Sequence, residues 1–301
     1  MTLAEGAGEA CCGGDACATD TLRAPVRACL DALAAAGARV ETITAHSDQD
    51  VDAALARFDG PAREDGLTWP DGDSKTRLVV AAATDGQLRH VVRRLVRRYA
   101  PPPSRRPADL AGNRTVPDLP PLAVLPMGPA SRDLVTRLGL PRDPAEVAAV
   151  ALGSTVRRLD LLRTDAGSVT LDGALIGGED RPTWRGRVEV DDAVLTDGEE
   201  PVLACAVGNA GGYAELDGLP LLAGPDPTSG QIEVAVAVPV VARSLFGKAK
   251  VRVEVRRARG RAVAVLPRDE EVPFVDDGVA AKLTRKRSWW IEPGAWAVYI
   301  R

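Results

Sequence analysis

The chain has 301 residues, room for two domains of ordinary size, and is 45% hydrophobic with only 4% aromatic residues, so Val, Leu and Ala must fill its cores. Its 38 basic and 42 acidic residues leave a net charge of −4, which argues against nucleic acid as a partner. No apolar run approaches the roughly 20 residues that span a bilayer.

The N-terminus lacks an early basic cluster and an apolar run, so no secretory signal is expected and the cytoplasm is the expected compartment. Cys11, Cys12, Cys17, Cys29 and Cys205 do not form a disulfide pattern, and His46 and His90 lie far from the first three. Residues 1–20 therefore read as a flexible leader with incidental thiols, without a clear strand.

A helix is predicted from about Leu22 to Ala36, closed by Gly37, then a strand over Arg39–Thr44. Ser47 or Asp48 caps a second helix running to Phe58. After a polar loop, Leu78–Ala83 reads as a buried strand and Gln87–Tyr99 as a helix. Leu88, Val91, Val92, Leu95, Val96 and Tyr99 make one apolar stripe of that helix. Its other side carries His90 and five arginines, Arg89, Arg93, Arg94, Arg97 and Arg98. These read as a solvated outer face, with attraction to anionic lipid as the competing view.

Residues 101–121 are a proline-rich loop, Leu122–Leu125 a short strand, and Ala130–Leu138 a helix. Asp143-Pro144 opens another helix ending at Leu152. Beyond Val156 the pattern changes to strand-like runs separated by turns, at 156–162, 168–176, 187–197, 201–207, 231–241, 250–257, 262–266 and 289–300. The fold class expected is α/β plus all-β: an N-terminal open parallel α/β sheet domain over 21–145, then a C-terminal antiparallel β-sandwich over 146–301. Lys282–Trp290 sets four basic residues before two tryptophans. On a strand Trp289 and Trp290 face opposite ways, so at least one belongs to the core rather than to a membrane.

Leu78–Leu95 places Asp85-Gly86 between a strand and a helix, where backbone N–H groups bind phosphate. In order along the chain follow Pro126-Met127-Gly128-Pro129-Ala130-Ser131-Arg132-Asp133, Leu138-Gly139-Leu140-Pro141, Val156–Asp160, Ala206-Val207-Gly208-Asn209, Gly224–Val234, Asp276-Asp277-Gly278 and Ile291–Val298. Together these segments resemble the diacylglycerol kinase-like lipid kinase family, within the superfamily that includes NAD kinases. The resemblance implies ATP and Mg²⁺ as cofactors and phosphoryl transfer to a lipid hydroxyl. It points to Asp85, Gly86, Gln87, Gly128 and Ser131 as nucleotide-binding residues and to Asp277 as the catalytic base, with the metal ligands unassigned.

The motifs depart from the family pattern where its chemistry is concentrated. Ala83 and Thr84 stand for two glycines and Gln87 for a threonine of Gly-Gly-Asp-Gly-Thr; Pro129 stands for another threonine, and Val279 for the glutamate of Asp-Gly-Glu. A valine neither takes a proton nor ligates a metal. Gly86, Gly128 and Gly278 read as needed for permissive backbone angles. Two functions follow: a lipid kinase weak or inactive as a catalyst, or a non-catalytic module that binds nucleotide, lipid or protein on the kinase fold. Peripheral contact with a membrane surface and a homodimer are compatible with both.

Overall fold

The computed structural model describes residues 1–3, 23–128, 133–178, 182–211, 215–242 and 250–301. The leader thiols Cys11, Cys12 and Cys17, and the candidates Pro129 and Ser131, lie outside the described residues. Two compact units are present, Met1–Leu159 with Gly294–Arg301, and Asp160–Pro293.

The first unit alternates strands and helices: β1 (Thr2–Leu3), α1 (Ala24–Ala35), β2 (Thr44–Ala45), α2 (Asp48–Leu55), β3 (Leu78–Ala82), α3 (Asp85–Tyr99), β4 (Leu122–Pro126), α4 (Leu134–Arg137) and α5 (Pro144–Leu152). Its strand pairs are parallel, β2 with β1, β1 with β3, and β3 with β4 over Leu78↔Leu122 to Ala82↔Pro126. Val298 near the chain's end pairs parallel with Leu122.

Val26, Cys29 and Leu33 of α1 and Val147, Ala148, Val150 and Ala151 of α5 bury one face of this sheet with Ala81, Ala123 and Leu125. Val80, Leu122 and Val124, pointing the other way, are equally buried, as a sheet covered on both faces requires. All six residues of the predicted α3 stripe are buried. Ser47 and Asp143 cap α2 and α5 through their side chains.

Three expectations for this unit change. Thr2–Leu3 is a strand, where the leader is expected to have none. Two residues show no periodicity, and pairing with Thr44 on one side and Ala81 on the other holds them. The strand expected over Arg39–Thr44 shrinks to Thr44–Ala45, because Val40 is exposed and only Ala45 reaches the core. The basic side of α3 is packed as much as solvated. Arg94 is buried and bonds Asp48 (2.5 Å) and Asp52 of α2, while Arg98 Nε bonds Asp59 (2.6 Å).

The second unit is all strand among its described residues. Part of β5 (Val156–Thr164) leads into β6 (Val169–Thr170), β7 (Gly173–Gly177), β8 (Gly186–Val190), β9 (Ala193–Asp197), β10 (Ala204–Gly208), β11 (Glu215–Leu216) and β12 (Leu219–Pro220). Then come β13 (Ile232–Ala242), β14 (Lys250–Gly260), β15 (Ala262–Pro267), β16 (Val272–Asp276), β17 (Val279–Leu283) and β18 (Arg287–Tyr299). One antiparallel sheet has the order β14-β13-β10-β7-β16-β17, and β9-β8-β15-β18 forms another antiparallel set. Inward residues of both, among them Ile176, Val207, Val234, Val236, Val263, Val265 and Trp289, share one apolar core. Trp289 is fully buried and Trp290 half-buried, as the strand reading of Lys282–Trp290 expects. Ala204, Ala206, Ala235 and Ala237 point the other way and are covered by Leu216, Leu221 and Leu222.

The division falls at Leu159/Asp160 rather than at residues 145/146, and residues 294–301 return to the first unit. The reason is the partners of β5. Arg158 pairs with Asp118 at 3.0 Å, whereas Asp160 N donates to Pro227 O and its carboxylate accepts from Gly230 N at 2.7 Å.

Candidate functional site

The phosphate-type turn lies between β3 and α3. Thr84 is the N-cap of α3, with extended backbone, and its hydroxyl oxygen accepts from Gln87 N at 3.3 Å. Gln87 answers by folding back, its Oε1 accepting from Ala83 N at 2.7 Å. This is a capping-box arrangement, Thr-x-x-Gln, with the amide reaching one residue further back than usual. Two backbone donors of the turn are thus bonded by the chain's own side chains. Asp85 is buried, and both its oxygens accept from Leu134 N at 3.1 Å, so it caps α4 from the first turn of α3.

Gly86 lies in the first turn of α3 and does not have a positive φ, so the backbone-freedom reading fails there. At Gly128 close approach takes its place: an added Cβ would sit 3.1 Å from Ala83 O. Gly128 O accepts from Arg142 Nη2 at 3.1 Å, and Arg142 Nη1 bonds Asp133 at 2.7 Å. Asp133 also accepts from Thr136 N at 2.9 Å as the α4 N-cap. Burial alone would raise the Asp133 carboxyl, but the Thr136 hydroxyl, the Arg142 guanidinium and the Thr136 N–H together hold it below the usual range. Arg142 was invisible in the sequence because no local period links it to Gly128 and Asp133.

Within the second unit Asp277 and Gly278 form the two-residue turn of the β16–β17 hairpin, with φ of 47° and 78°. Two positive φ values in such a loop are the mirror-image turn that suits twisted strands. The Asp277 side chain points inward and is 1% exposed. Its carboxylate accepts from Leu171 N (2.8 Å), Asp172 N (2.8 Å) and Gly173 N (3.1 Å). Asn209 Nδ2 donates to Asp160 O (2.9 Å) and Leu171 O (2.8 Å), and the Thr170 hydroxyl donates to Asp276 (2.8 Å). The acids and amide singled out from the sequence thus tie β5, β7, β10 and the β16–β17 turn together. Asp172 and Thr170, equally buried in the same network, were missed because nothing in their local spacing marks them.

Among the described residues, no group of three or more His, Cys, Asp or Glu side chains is placed to hold a metal ion. No described helix is long and apolar enough to cross a membrane.

The diacylglycerol kinase catalytic domain matches residues 16–164, which contain the whole phosphate-type turn and its neighbours. Over those residues, just under half of its length, the chain is similar to that family. No curated protein matches it. Among solved structures it is similar to a diacylglycerol kinase from Bacillus anthracis (TM-score 0.61, 18% identity, covering 100% of this chain and 95% of that one). A second structure from the same organism gives a TM-score of 0.62 at 17% identity, with the same coverage. An NAD kinase from Archaeoglobus fulgidus in complex with ATP follows at 0.50 and 14%, covering 93% and 90%. At these identities the likeness establishes the two-domain kinase-like fold.

Proposed function

We propose that this chain is a lipid kinase-like protein in which phosphoryl transfer from ATP to a lipid hydroxyl is slow or lost. The observation that carries the reading is the closed turn at Ala83–Gln87. A triphosphate there would need backbone N–H groups that Gln87 and Thr84 occupy, and it would meet side chains where the family has bare glycines. Asp85 is turned to Leu134 N, so the residues present do not fit ATP with Mg²⁺. Asp277, the sequence candidate for the base, has its carboxylate engaged by three backbone donors, which supports a structural role.

The parallel-sheet and β-sandwich pairing described above support the family's domain plan. The alternative on the same fold is a non-catalytic module, and the buried network around Asp277 favours that side of the choice. Any membrane contact is then peripheral.

Calorimetric titration with ATP–Mg²⁺, beside a transfer assay on diacylglycerol in mixed micelles, tests this. The expected result is no saturable binding at millimolar nucleotide and no transfer above background. Binding at one hundred times Kd would raise stability by about 2.7 kcal/mol, so a thermal melt gives an independent check. Saturable binding with turnover would overturn the proposal.

A further inference from the structure

The loop before β4, residues 101–121, carries three arginines, and two of them hold the loop in shape. Arg105 Nη2 donates to Asp65 O, and Arg106 Nη2 to Leu110 O (3.1 Å) and Arg114 O (2.8 Å). Further on, Leu119 N donates to Ala295 O at 2.9 Å. The third arginine differs. Arg114 Nη1 pairs with Asp118 Oδ1, but its Nε and Nη2 are buried and have no acceptor among the described residues. Those two nitrogens form one edge of the guanidinium, the fork that takes two oxygens of an oxyanion side by side. Donors of a charged group left buried and unmet are costly, so this edge calls for a ligand.

A second cation adjoins it. Arg158 of β5 pairs through Nη2 with the other oxygen of Asp118, at 3.0 Å, so one carboxylate faces two guanidiniums. Among the described residues its Nη1 makes one long contact, 3.4 Å to Gly294 O. Burial pulls the Arg158 guanidinium below its ordinary range; Asp118 opposes this and Arg114 adds to it. The Arg114 side chain is 14% exposed, whereas those of Arg158 and Asp118 are 40% and 54% exposed, so the cluster opens to solvent on their side. We propose that Arg114 and Arg158 bind a phosphate group, with the Arg114 fork on two of its oxygens and Arg158 on a third. A carboxylate would have no third oxygen for Arg158, which favours phosphate. Asp118 is the internal competitor, and an exposed ion pair yields at small cost. The cluster precedes β4, at the end of the parallel sheet opposite the Ala83–Gln87 turn, and the inference does not rest on the reading of that turn.

The test is calorimetric titration of the full chain with inorganic phosphate, at an ionic strength held constant with sodium chloride. Saturable binding is expected, with a matching rise in melting temperature, and acetate at the same concentration should give neither. Arg114→Lys keeps the charge but loses the fork, and Arg158→Gln removes the second cation at an exposed position. Each should weaken binding on the order of tenfold. Asp118→Asn removes the competing carboxylate and should tighten binding about fivefold, which a purely structural aspartate would not do. Glycerol 3-phosphate in a parallel titration separates the sources. Tighter binding than inorganic phosphate assigns the site to a phosphate monoester, weaker binding to the free ion, and either supports the proposal. Equal responses to phosphate and acetate, no saturation, or an affinity unchanged in all three variants would mean an adventitious ion only and overturn it.

Discussion

Asp277 shows how a residue singled out for chemistry can be held by architecture instead. Its carboxylate accepts from three successive backbone N–H groups of the segment entering β7, and its backbone occupies a left-handed turn position. Asparagine tolerates that backbone nearly as well as aspartate, so Asp277→Asn changes the side chain and little else. The amide offers one oxygen where two are used, and sets an N–H₂ against an N–H donor. Asp277→Asn should therefore destabilise the protein by about 2 kcal/mol, read as a lower urea midpoint. An unchanged midpoint would return Asp277 to the pool of free acids available for catalysis. Gln87 makes the same point at the turn: its amide bonds Ala83 N and so fills, from within, a place where the family pattern has a short threonine.

The pairing of α2 with α3 depends on side chains forty residues apart. Arg94 reaches Asp48 and Asp52, and His90 Nε2 lies 3.2 Å from Asp48. Burial pushes the His90 imidazolium below its ordinary range; Asp48 opposes this, and Arg93, Arg94 and Arg89 add to it. A histidine with a depressed folded pKa binds fewer protons folded than unfolded. The stability it permits is complete above the unfolded value near 6.5 and falls as pH drops through that value toward the folded one. His90→Gln should match the wild type above neutrality and lose less stability between about pH 6.5 and 5, followed by urea midpoints across that window. Parallel curves would show that the histidine does not titrate against the fold. This element also marks the limit of sequence reading. The α3 stripe and the Ser47 and Asp143 caps were legible because helix period and capping are local. The arginine partners and the two-residue β1 were not, since each depends on contacts distant in the chain. The candidate site was legible only as motif positions. That Asp85 caps α4 emerges only from a neighbour distant in the chain, whereas the Thr84-x-x-Gln87 box is a local pattern that the motif comparison passed over.

At the scale of the whole molecule, the chain leaves the first unit within β5 and returns to it within β18, so the first unit is built from two separated pieces. The returning piece is short but central. Trp296, Val298 and Tyr299 are 1%, 0% and 2% exposed, and Val298 pairs with Leu122. Ala295 O accepts from Leu119 N, Ile300 N donates to Thr155 O, and the Tyr299 hydroxyl accepts from Arg77 at 2.8 Å. Removing residues 294–301 strips three large buried side chains, on the order of 6–9 kcal/mol, comparable with the whole stability of a typical domain. A chain ending at Pro293 should therefore lose the first unit. The readout is selective, because all five α-helices among the described residues lie in that unit and none in the other. Far-ultraviolet circular dichroism should lose its helix signal while strand signal persists, and limited proteolysis should leave a fragment beginning near Asp160. Tyr299→Phe, which gives up only the Arg77 bond, should cost about 1 kcal/mol and keep the helices, separating loss of the segment from loss of one hydroxyl. A truncated chain with its full helix signal would mean that the closing strand decorates the first unit rather than completing it.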